Sequence, residues 1–344
     1  MKLLIITQQV DKDDDILGFF HRWIEEFAKH ASEVAVIAGF VGKHNLPRNV
    51  FVYSLGKEKG ISKIKRIWKF WELFSKYYAD SEAVFFHMCP EFILAAAPFL
   101  VSLKRISALW YTHKSVTRRL RFAEKLVDYI FTASELSFRL PSKKAVYTGH
   151  AIDTEFFSPV SHQLSSGVLK MLTIGRISPI KNIEIMISAC SILKDAHNPV
   201  SFSIVGKPAV FGDEKYYQSL KNLVHEKGLE QYVFFEGSRP YSDIPDILRE
   251  HDLFINLSET GSLDKAVLEA MACGLSVISA NEAFREILPQ KYFLEHLSPE
   301  FLAERIRLLV DENRPNLTLR QIVLNGHSLE ITIKRIISIL AKNV

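Results

Sequence analysis

The chain has 344 residues, of which 48% are hydrophobic and 24% charged, and its net charge is +4. This composition is typical of a globular protein and excludes a largely disordered or fibrous chain. The length exceeds that at which one hydrophobic core usually stops growing. We therefore expect two domains, with a working site in the cleft between them.

The cysteines and the hydropathy pattern indicate in which cellular compartment the protein is expected. The three cysteines, Cys89, Cys190 and Cys273, are far apart and form no CxxC pair, so neither a zinc knuckle nor a disulfide framework is indicated. The N-terminus lacks the long apolar run of a signal peptide, and the apolar stretch 92–103 contains Pro98 and is too short to span a bilayer. We expect a cytoplasmic protein that could contact a membrane peripherally.

The first part of the chain alternates apolar strand-like runs with helical segments. Residues 3–7 predict a buried strand and 17–30 an amphipathic helix. Further strands are predicted at 34–38, 51–54, 83–87, 108–112, 129–133 and 145–148. This alternation is typical of a parallel sheet wrapped by helices.

Periodicity pauses between 153 and 167, where Pro, Ser and Gly collect, and this predicts an interdomain linker. A second alternation follows, with strands at 171–174, 201–205, 233–236, 253–257 and 276–279 and helices at 182–196, 214–227, 243–250 and 263–273. The sequence therefore predicts an α/β fold of two Rossmann-like doubly wound domains. Their predicted ranges are 1–160 and 168–327, with a final helix at about 328–344 packing back on the first domain.

A basic segment lies at 57–76, where lysines interleave with Trp68, Phe70, Trp71 and Phe74 at helical spacing. Such a helix could lie on an anionic membrane surface. The alternative is a solvated face above a packed aromatic stripe. Nucleic acid is not expected as a partner, because the net charge is modest and no recognised motif is present.

Two loops after predicted strands carry candidate chemistry. In GRISPIKN, 175–182, a glycine permits a tight turn, and Arg176 and Lys181 could converge on one anion such as a diphosphate. The alternative is a pair of ordinary surface cations.

The second loop and helix, 258–274, read SETGSLDKAVLEAMACG. Ser262 is a candidate N-cap and Gly274 a candidate C′ residue, so the free N–H groups at 262–265 could meet ligand oxygens. Glu269 could accept hydrogen bonds from vicinal hydroxyls. Alternatively, Glu269 forms an ion pair with Lys265 one turn earlier.

GRISPIK at 175–181 and ETGSLDKAVLEAMACG at 259–274 together resemble the retaining glycosyltransferases of family 4, which have the GT-B fold. The resemblance implies transfer of a sugar from a nucleotide-diphosphate sugar, UDP- or GDP-linked, to a hydroxyl of a glycan or lipid-linked acceptor. It implies diphosphate binding by Arg176 and Lys181 and ribose binding by Glu269. The residues implied to cradle the sugar are Gly261, Ser262, Leu263, Asp264 and Lys265.

The first domain offers further candidates. Gly18 resembles the family glycine that approaches the donor phosphate, and His113 stands where a cleft histidine lies beside the reacting sugar. His87, Glu91 and Lys114 follow predicted strands on the side where the acceptor would bind. The residues assigned to base binding, after strand 233–236, are Gly237, Ser238 and Arg239. The run GHAIDTEFF, 149–157, resembles the family's domain junction.

The family motif Glu-x7-Glu is incomplete, because Gly261 replaces the first acid, which usually contacts hydroxyls of the donor sugar. Asp264 could compensate, so a variant active site with His113, Asp264 and Glu269 as catalytic candidates is favoured over an inactive one. No motif of an activated nucleophile and no metal-ligand cluster is visible, so we expect electrostatic stabilisation of the leaving diphosphate, with no cofactor and no metal.

Other classes of protein share such an architecture. A sugar-nucleotide epimerase or a phosphorylase would also need a cationic phosphate pocket, and the fold alone does not separate these enzymes. A non-catalytic sugar-nucleotide or glycan-binding protein is a further alternative, because of Gly261. A dinucleotide oxidoreductase is disfavoured, because no GxGxxG follows a strand.

Overall fold

The computed structural model describes residues 1–160, 167–196, 199–208, 212–259, 261–312 and 314–342. The chain divides into two compact units. The first unit comprises Met1–Asp153 and His327–Val344, and the second unit comprises Thr154–Gly326.

The first unit is built on one parallel sheet. Its strands are β1 (Lys2–Val10), β2 (Glu33–Val41), β3 (Val50–Ser54), β4 (Ala83–His87), β5 (Ile106–Trp110), β6 (Tyr129–Thr132) and β7 (Ala145–Tyr147). Its helices are α1 (Phe19–His30), α2 (Lys63–Asp80), α3 (Pro90–Ser102), α4 (Arg118–Leu126) and, from the end of the chain, α11 (Leu329–Ala341). The seven strands are ordered β3-β2-β1-β4-β5-β6-β7.

Helices cover both faces of this sheet because the strands are apolar on both sides. Along β1, Leu3 and Ile5 belong to one hydrophobic cluster, which also contains Ile333 of α11. Leu4 and Ile6, which alternate with them, belong to the other cluster, with the aromatic residues of α2. The terminal helix α11 is therefore part of the core of the first unit.

The second unit has a smaller sheet of the same kind. Its strands are β8 (Leu169–Ile174), β9 (Val200–Val205), β10 (Val233–Gly237), β11 (Leu253–Asn256) and β12 (Ser276–Ser279). Its helices are α5 (Ile183–Asp195), α6 (Asp213–Glu226), α7 (Ile244–Arg249), α8 (Lys265–Ala272), α9 (Pro299–Leu309) and α10 (Leu317–Gly326). The five strands are ordered β10-β9-β8-β11-β12, and all are parallel.

The N-terminal part of the first unit ends at Asp153, before the predicted domain boundary at 160. Two arginines of the second unit hold the segment that follows Asp153. Arg249 donates hydrogen bonds to the carbonyl oxygens of Phe156 and Ser158, each over 2.9 Å. Arg320 donates to those of Thr154 and Phe157, over 3.0 and 2.9 Å. Of the predicted linker, residues 161–166 lie outside the described part of the chain.

None of the described helices combines the length and the hydropathy that crossing a bilayer requires.

The burial of α11 predicts how its substitutions affect the first unit. Ile333 is fully buried, and we expect Ile333→Ala to lower the free energy of unfolding of this unit by about 2–5 kcal/mol through a cavity in the core. All four tryptophans, Trp23, Trp68, Trp71 and Trp110, belong to the first unit, so urea unfolding followed by tryptophan fluorescence measures it selectively. Ile331→Ala, an exposed residue of the same helix, is the control; equal effects of the two variants would contradict the packing.

Candidate functional site

The strand order of the second unit reverses between β8 and β11. From β8 the chain moves outward through β9 to β10, whereas β11 and β12 lie on the other side of β8. In open parallel sheets, ligands bind at this switch point, beyond the carboxyl ends of the strands. The predicted segments 175–182 and 258–265 follow β8 and β11, so both lie at the switch point.

Three glycines line the carboxyl ends of neighbouring strands. Gly175, Gly206 and Gly237 have φ values of +146°, +147° and +70°, which favour glycine. The Gly206 N–H donates to the Gly237 carbonyl over 2.8 Å, and a Cβ on Gly206 would lie 1.8 Å from the Gly175 carbonyl oxygen. The sequence interpretation missed Gly206, although a glycine directly after the strand predicted at 201–205 was the available signal.

The two cations predicted to bind a diphosphate differ in their surroundings. Arg176 is exposed and has no hydrogen bond or ion pair with any residue that the structure describes. Lys181 ends a short 3-10 helix, Pro179–Lys181, and its ammonium lies 2.7 Å from Asp264 Oδ2. A Cβ on Gly175 would lie 3.5 Å from Lys181 Nζ, so this glycine keeps the space beside the ammonium clear of a side chain.

The prediction that Ser262 caps α8 is wrong. The N-cap is Asp264, whose Oδ1 accepts a hydrogen bond from the Ala266 N–H over 3.2 Å. The Ser262 carbonyl is instead held by the Asn281 side chain, over 2.8 Å, which places the start of the helix two residues later. The predicted C′ glycine is confirmed: Gly274 has φ +79°, and its N–H and that of Leu275 bond to the last turn in a Schellman motif.

Asp264 has three hydrogen-bond donors within the protein. Its Oδ2 accepts hydrogen bonds from Lys181 Nζ over 2.7 Å and from Asn256 Nδ2 over 2.8 Å. Burial alone would raise the pKa of Asp264, but the charge of Lys181 and the hydrogen bonds from Lys181, Asn256 and Ala266 lower this pKa below its usual value of 3.8. Oδ2 has two donors and Oδ1 has one, so a contact of Asp264 with the donor sugar stays a prediction.

Glu269 is buried and forms the ion pair considered above as an alternative. Its Oε1 lies 2.6 Å from Lys265 Nζ and accepts a hydrogen bond from the Tyr241 hydroxyl over 2.9 Å. Lys265 also donates to the Tyr241 oxygen over 2.8 Å and lies above that ring. The sequence interpretation missed Tyr241, because no local pattern links it to Glu269, 28 residues later. The ribose contact of Glu269 stays a prediction.

Three buried polar atoms at the switch point have no hydrogen-bond partner within the described ranges. They are Ser178 Oγ after β8, Asn256 Oδ1 at the end of β11 and Ser258 Oγ just beyond it. The three residues are at most 5% exposed. Buried polar atoms in proteins usually have hydrogen-bond partners, so these three atoms indicate a binding site for a polar ligand.

The other residues predicted in the second unit fall into two groups. Gly261 and Leu263 are buried in the loop before α8, beside the anchored Ser262 carbonyl. Ser238 and Arg239 are exposed after the Gly237 turn, and Arg239 forms a 2.8 Å ion pair with Glu236. Sugar binding by the first group and base binding by Gly237, Ser238 and Arg239 stay predictions.

In the first unit, several predicted residues are accessible. His113 is exposed after β5, and its Nδ1 accepts a hydrogen bond from the Ser115 N–H over 3.1 Å. Lys114 is exposed, and Glu91 forms a surface ion pair with Arg119 over 3.0 Å. Gly18 is the N-cap residue of α1. Their roles toward a donor or an acceptor stay predictions.

His87, predicted on the acceptor side, is buried instead. Its ring stacks on Phe20 at 3.8 Å and also contacts Phe19 and Trp23. Burial lowers the pKa of His87 to about 3, so the ring is neutral at physiological pH. The aromatic shell leaves it 1% exposed, which is incompatible with direct contact to an acceptor in this conformation.

Across the described ranges, no three His, Cys, Asp or Glu side chains lie together in a way that could hold a metal ion.

Comparison with known proteins shows which family this part of the chain is similar to. Residues 156–323 match the profile of the family Glycosyl transferases group 1. Assignment to family 4 in particular stays a prediction.

Among curated relatives, an amylovoran biosynthesis glycosyltransferase, AmsK of Erwinia amylovora, is 27% identical over 176 residues, 49% of this chain and 42% of that protein. The D-inositol 3-phosphate glycosyltransferase of Gordonia bronchialis is 30% identical over 112 residues, 31% of this chain and 24% of that protein. The chain therefore spans less than half the length of either relative.

Solved structures match over nearly the whole chain. Anabaena HepE, in complex with UDP and glucose, aligns with a TM-score of 0.75 at 18% identity, covering 99% of both chains. Sucrose-phosphate synthase from Thermosynechococcus elongatus aligns with a TM-score of 0.76 at 13% identity, also covering 99% of both. The predicted GT-B fold is confirmed.

The Asp264 contacts predict a pH-dependent loss of stability. Asp264→Asn keeps the shape of the side chain but leaves Lys181 without its carboxylate, so we expect a loss of about 1.5–3 kcal/mol at pH 7. Because the folded pKa of Asp264 is lowered, its contribution is complete above 3.8 and is lost as the pH falls through the folded value, so the difference from wild type should shrink only below 3.8.

Urea unfolding followed by circular dichroism from pH 7 to pH 3 measures this difference. Glu295→Gln, which removes an exposed ion pair with Arg285 in the same unit, is the control and should cost no more than about 1 kcal/mol. Wild-type stability of Asp264→Asn at pH 7 would contradict a stabilising role of the pair.

Proposed function

We propose that this chain is a retaining glycosyltransferase that moves a sugar from a UDP- or GDP-linked donor to a hydroxyl of a glycan or lipid-linked acceptor. One observation carries the proposal: in a segment that matches glycosyl transferases group 1, the loops at the switch point contain the exposed Arg176 and three buried polar atoms, all without partners within the described ranges. UDP and glucose in the structurally similar HepE support a nucleotide sugar as the donor.

The donor diphosphate would bind Arg176 and Lys181. Arg176 offers a planar fork of N–H donors, and Lys181 offers a compact charge next to the Gly175 turn. Sugar hydroxyls both donate and accept hydrogen bonds, so they match Asn256 Oδ1, which needs a donor, and the hydroxyls of Ser178 and Ser258.

In the proposed reaction, the acceptor oxygen forms a bond to the anomeric carbon while the bond from this carbon to the diphosphate oxygen breaks. The acceptor proton passes to the leaving diphosphate, and attack occurs from the face that the diphosphate leaves. Arg176 and Lys181 stabilise the negative charge that develops on the leaving group. Retention follows from the resemblance to family 4.

Arg176 allows a direct test of donor binding. Because it is exposed and unpaired within the described ranges, Arg176→Ala should leave stability unchanged but weaken UDP or GDP binding about tenfold or more, the effect of losing a charge-assisted contact. Titration calorimetry with both nucleotides measures this. Arg307→Ala, an exposed arginine on α9, is the control and should bind like wild type. No binding of either nucleotide to the wild type would contradict the proposal.

Gly261 favours one second candidate, a non-catalytic sugar-nucleotide-binding protein, because the first acid of the family motif is absent and Asp264 is engaged elsewhere. Release of UDP or GDP from the sugar donors distinguishes the two functions. A glycosyltransferase releases the nucleotide on transfer or slow hydrolysis, whereas a binding protein does not. The proposal also includes metal-independent chemistry, so EDTA should not reduce the release.

A lipid-linked acceptor would place the protein at the cytoplasmic face of a membrane, and α2 supports such contact. Its inner face packs Phe70, Phe74 and Tyr78 into the core. On its outer side Ile64 and Trp68, four residues apart, are 71% and 66% exposed among lysines of the same helix. Apolar side chains with neighbouring lysines fit an anionic lipid surface.

Vesicle binding tests this contact. We expect the double variant Ile64→Ser/Trp68→Ser to bind vesicles of anionic lipids several-fold more weakly than wild type in a sedimentation assay, because it loses the apolar area that would enter the interface. Nucleotide affinity should not change. Phe122→Ser, an exposed aromatic residue on α4, is the control. Wild-type vesicle binding by the double variant would exclude α2 as the contact.

A further inference from the structure

The carboxylate of Asp264 contacts both groups at this point of the site that attract an anion. Its Oδ2 lies 2.7 Å from the Lys181 ammonium, and its Oδ1 accepts a hydrogen bond from the Ala266 N–H at the start of α8. A lysine ammonium and the N–H groups that begin a helix commonly bind phosphate oxygens in proteins. Asp264 therefore makes the contacts that a phosphate group would make at the same place.

The two cations predicted to bind the diphosphate thus differ in the charge that they offer. In the described part of the chain, the Lys181 ammonium donates its hydrogen bond to Asp264, and the two side chains are only 18% and 20% exposed. Partly buried ion pairs are screened much less by salt than exposed ones, so the carboxylate compensates much of the ammonium charge. Arg176 is exposed and has no such partner among the described residues.

We propose that Asp264 is an internal competitor of the donor diphosphate for Lys181 and thereby weakens the binding of nucleoside diphosphates. The inference rests on the proposed function, because it assumes a nucleotide donor at the switch point. A diphosphate oxygen either displaces the carboxylate from the ammonium or shares the ammonium with it. In the shared arrangement the two anions lie no more than about 5.5 Å apart, the sum of two hydrogen-bond lengths, and repel each other. Both arrangements cost free energy that a neutral side chain would not.

The same competition favours release of the nucleoside diphosphate after transfer. Two contacts of Asp264 do not involve Lys181: Asn256 Nδ2 donates to Oδ2 over 2.8 Å, and the Ala266 N–H donates to Oδ1 over 3.2 Å. These contacts keep the carboxylate close to the ammonium while a diphosphate is bound. Asp264 therefore pairs with Lys181 again as the diphosphate leaves, and the pair lowers the free energy of the empty site.

Neutral substitutions of Asp264 test the competition. Asp264→Asn and Asp264→Ser remove the charge but keep a side chain that can cap α8. We expect UDP and GDP to bind each variant about tenfold or more tightly than wild type, because the opposing charge is gone. Uridine and guanosine carry no phosphate, so their affinities should not change. Calorimetry measures the nucleotides, and competition against the bound nucleotide measures the nucleosides.

The ratio of nucleotide affinity to nucleoside affinity separates competition from damage to the fold. Loss of folded protein weakens both kinds of ligand by one common factor and leaves the ratio unchanged, whereas loss of the competitor raises it. Glu295→Gln removes the same charge from an exposed ion pair with Arg285 in the same unit. This variant is the matched control and should keep the wild-type ratio.

The outcomes distinguish this inference from the proposed function. A ratio that is unchanged or lower in both Asp264 variants would overturn the competition and leave the donor site in place. An equal rise in Glu295→Gln would assign the effect to net charge and would also overturn the competition. Absence of UDP and GDP binding to the wild type and to both Asp264 variants would overturn the proposed function and this inference together.

Discussion

The ion pair between Lys181 and Asp264 holds the switch point of the second unit together. It joins the loop after β8 to the first turn of α8, two segments that are far apart in the chain. Removing two charges from water is costly, and such a pair is stable only when further hydrogen bonds satisfy its atoms. Asn256 and the Ala266 N–H supply them to the carboxylate. The same contacts fix the end of β11, where polar atoms without partners in the described ranges lie.

Two adjacent residues of opposite charge organise the rest of the site. Asp264 faces the Lys181 ammonium, and Lys265 pairs with the Glu269 carboxylate one helical turn later. Lys181, predicted to bind the diphosphate, and Glu269, predicted to bind the ribose, thus each have a counter-ion within the protein. Arg176, which has no such partner within the described ranges, is the charge that an approaching anion meets uncompensated.

Much of the fold follows from local pattern, whereas the details of the site depend on distant contacts. The apolar strands and their glycine turns were predictable, because burial on both faces requires continuous hydrophobic runs. The choice of Asp264 over Ser262 as N-cap was not, because both residue types cap helices and Asn281, from beyond β12, decides between them. His87 was misinterpreted for a similar reason: three aromatic residues of α1 enclose its ring.

The glycine at position 261 removes a negative charge that the family motif has at this position. With no acid there, three cations, Arg176, Lys181 and Lys265, stand against the two carboxylates of Asp264 and Glu269. An excess of positive charge favours a diphosphate both in the donor and as the leaving group. Recognition of the sugar would then depend on neutral atoms, and Ser178, Asn256 and Ser258 provide them without a further buried charge. Loss of the acid is therefore compatible with a working donor site, because hydroxyls need hydrogen-bond partners and these partners need not be charged.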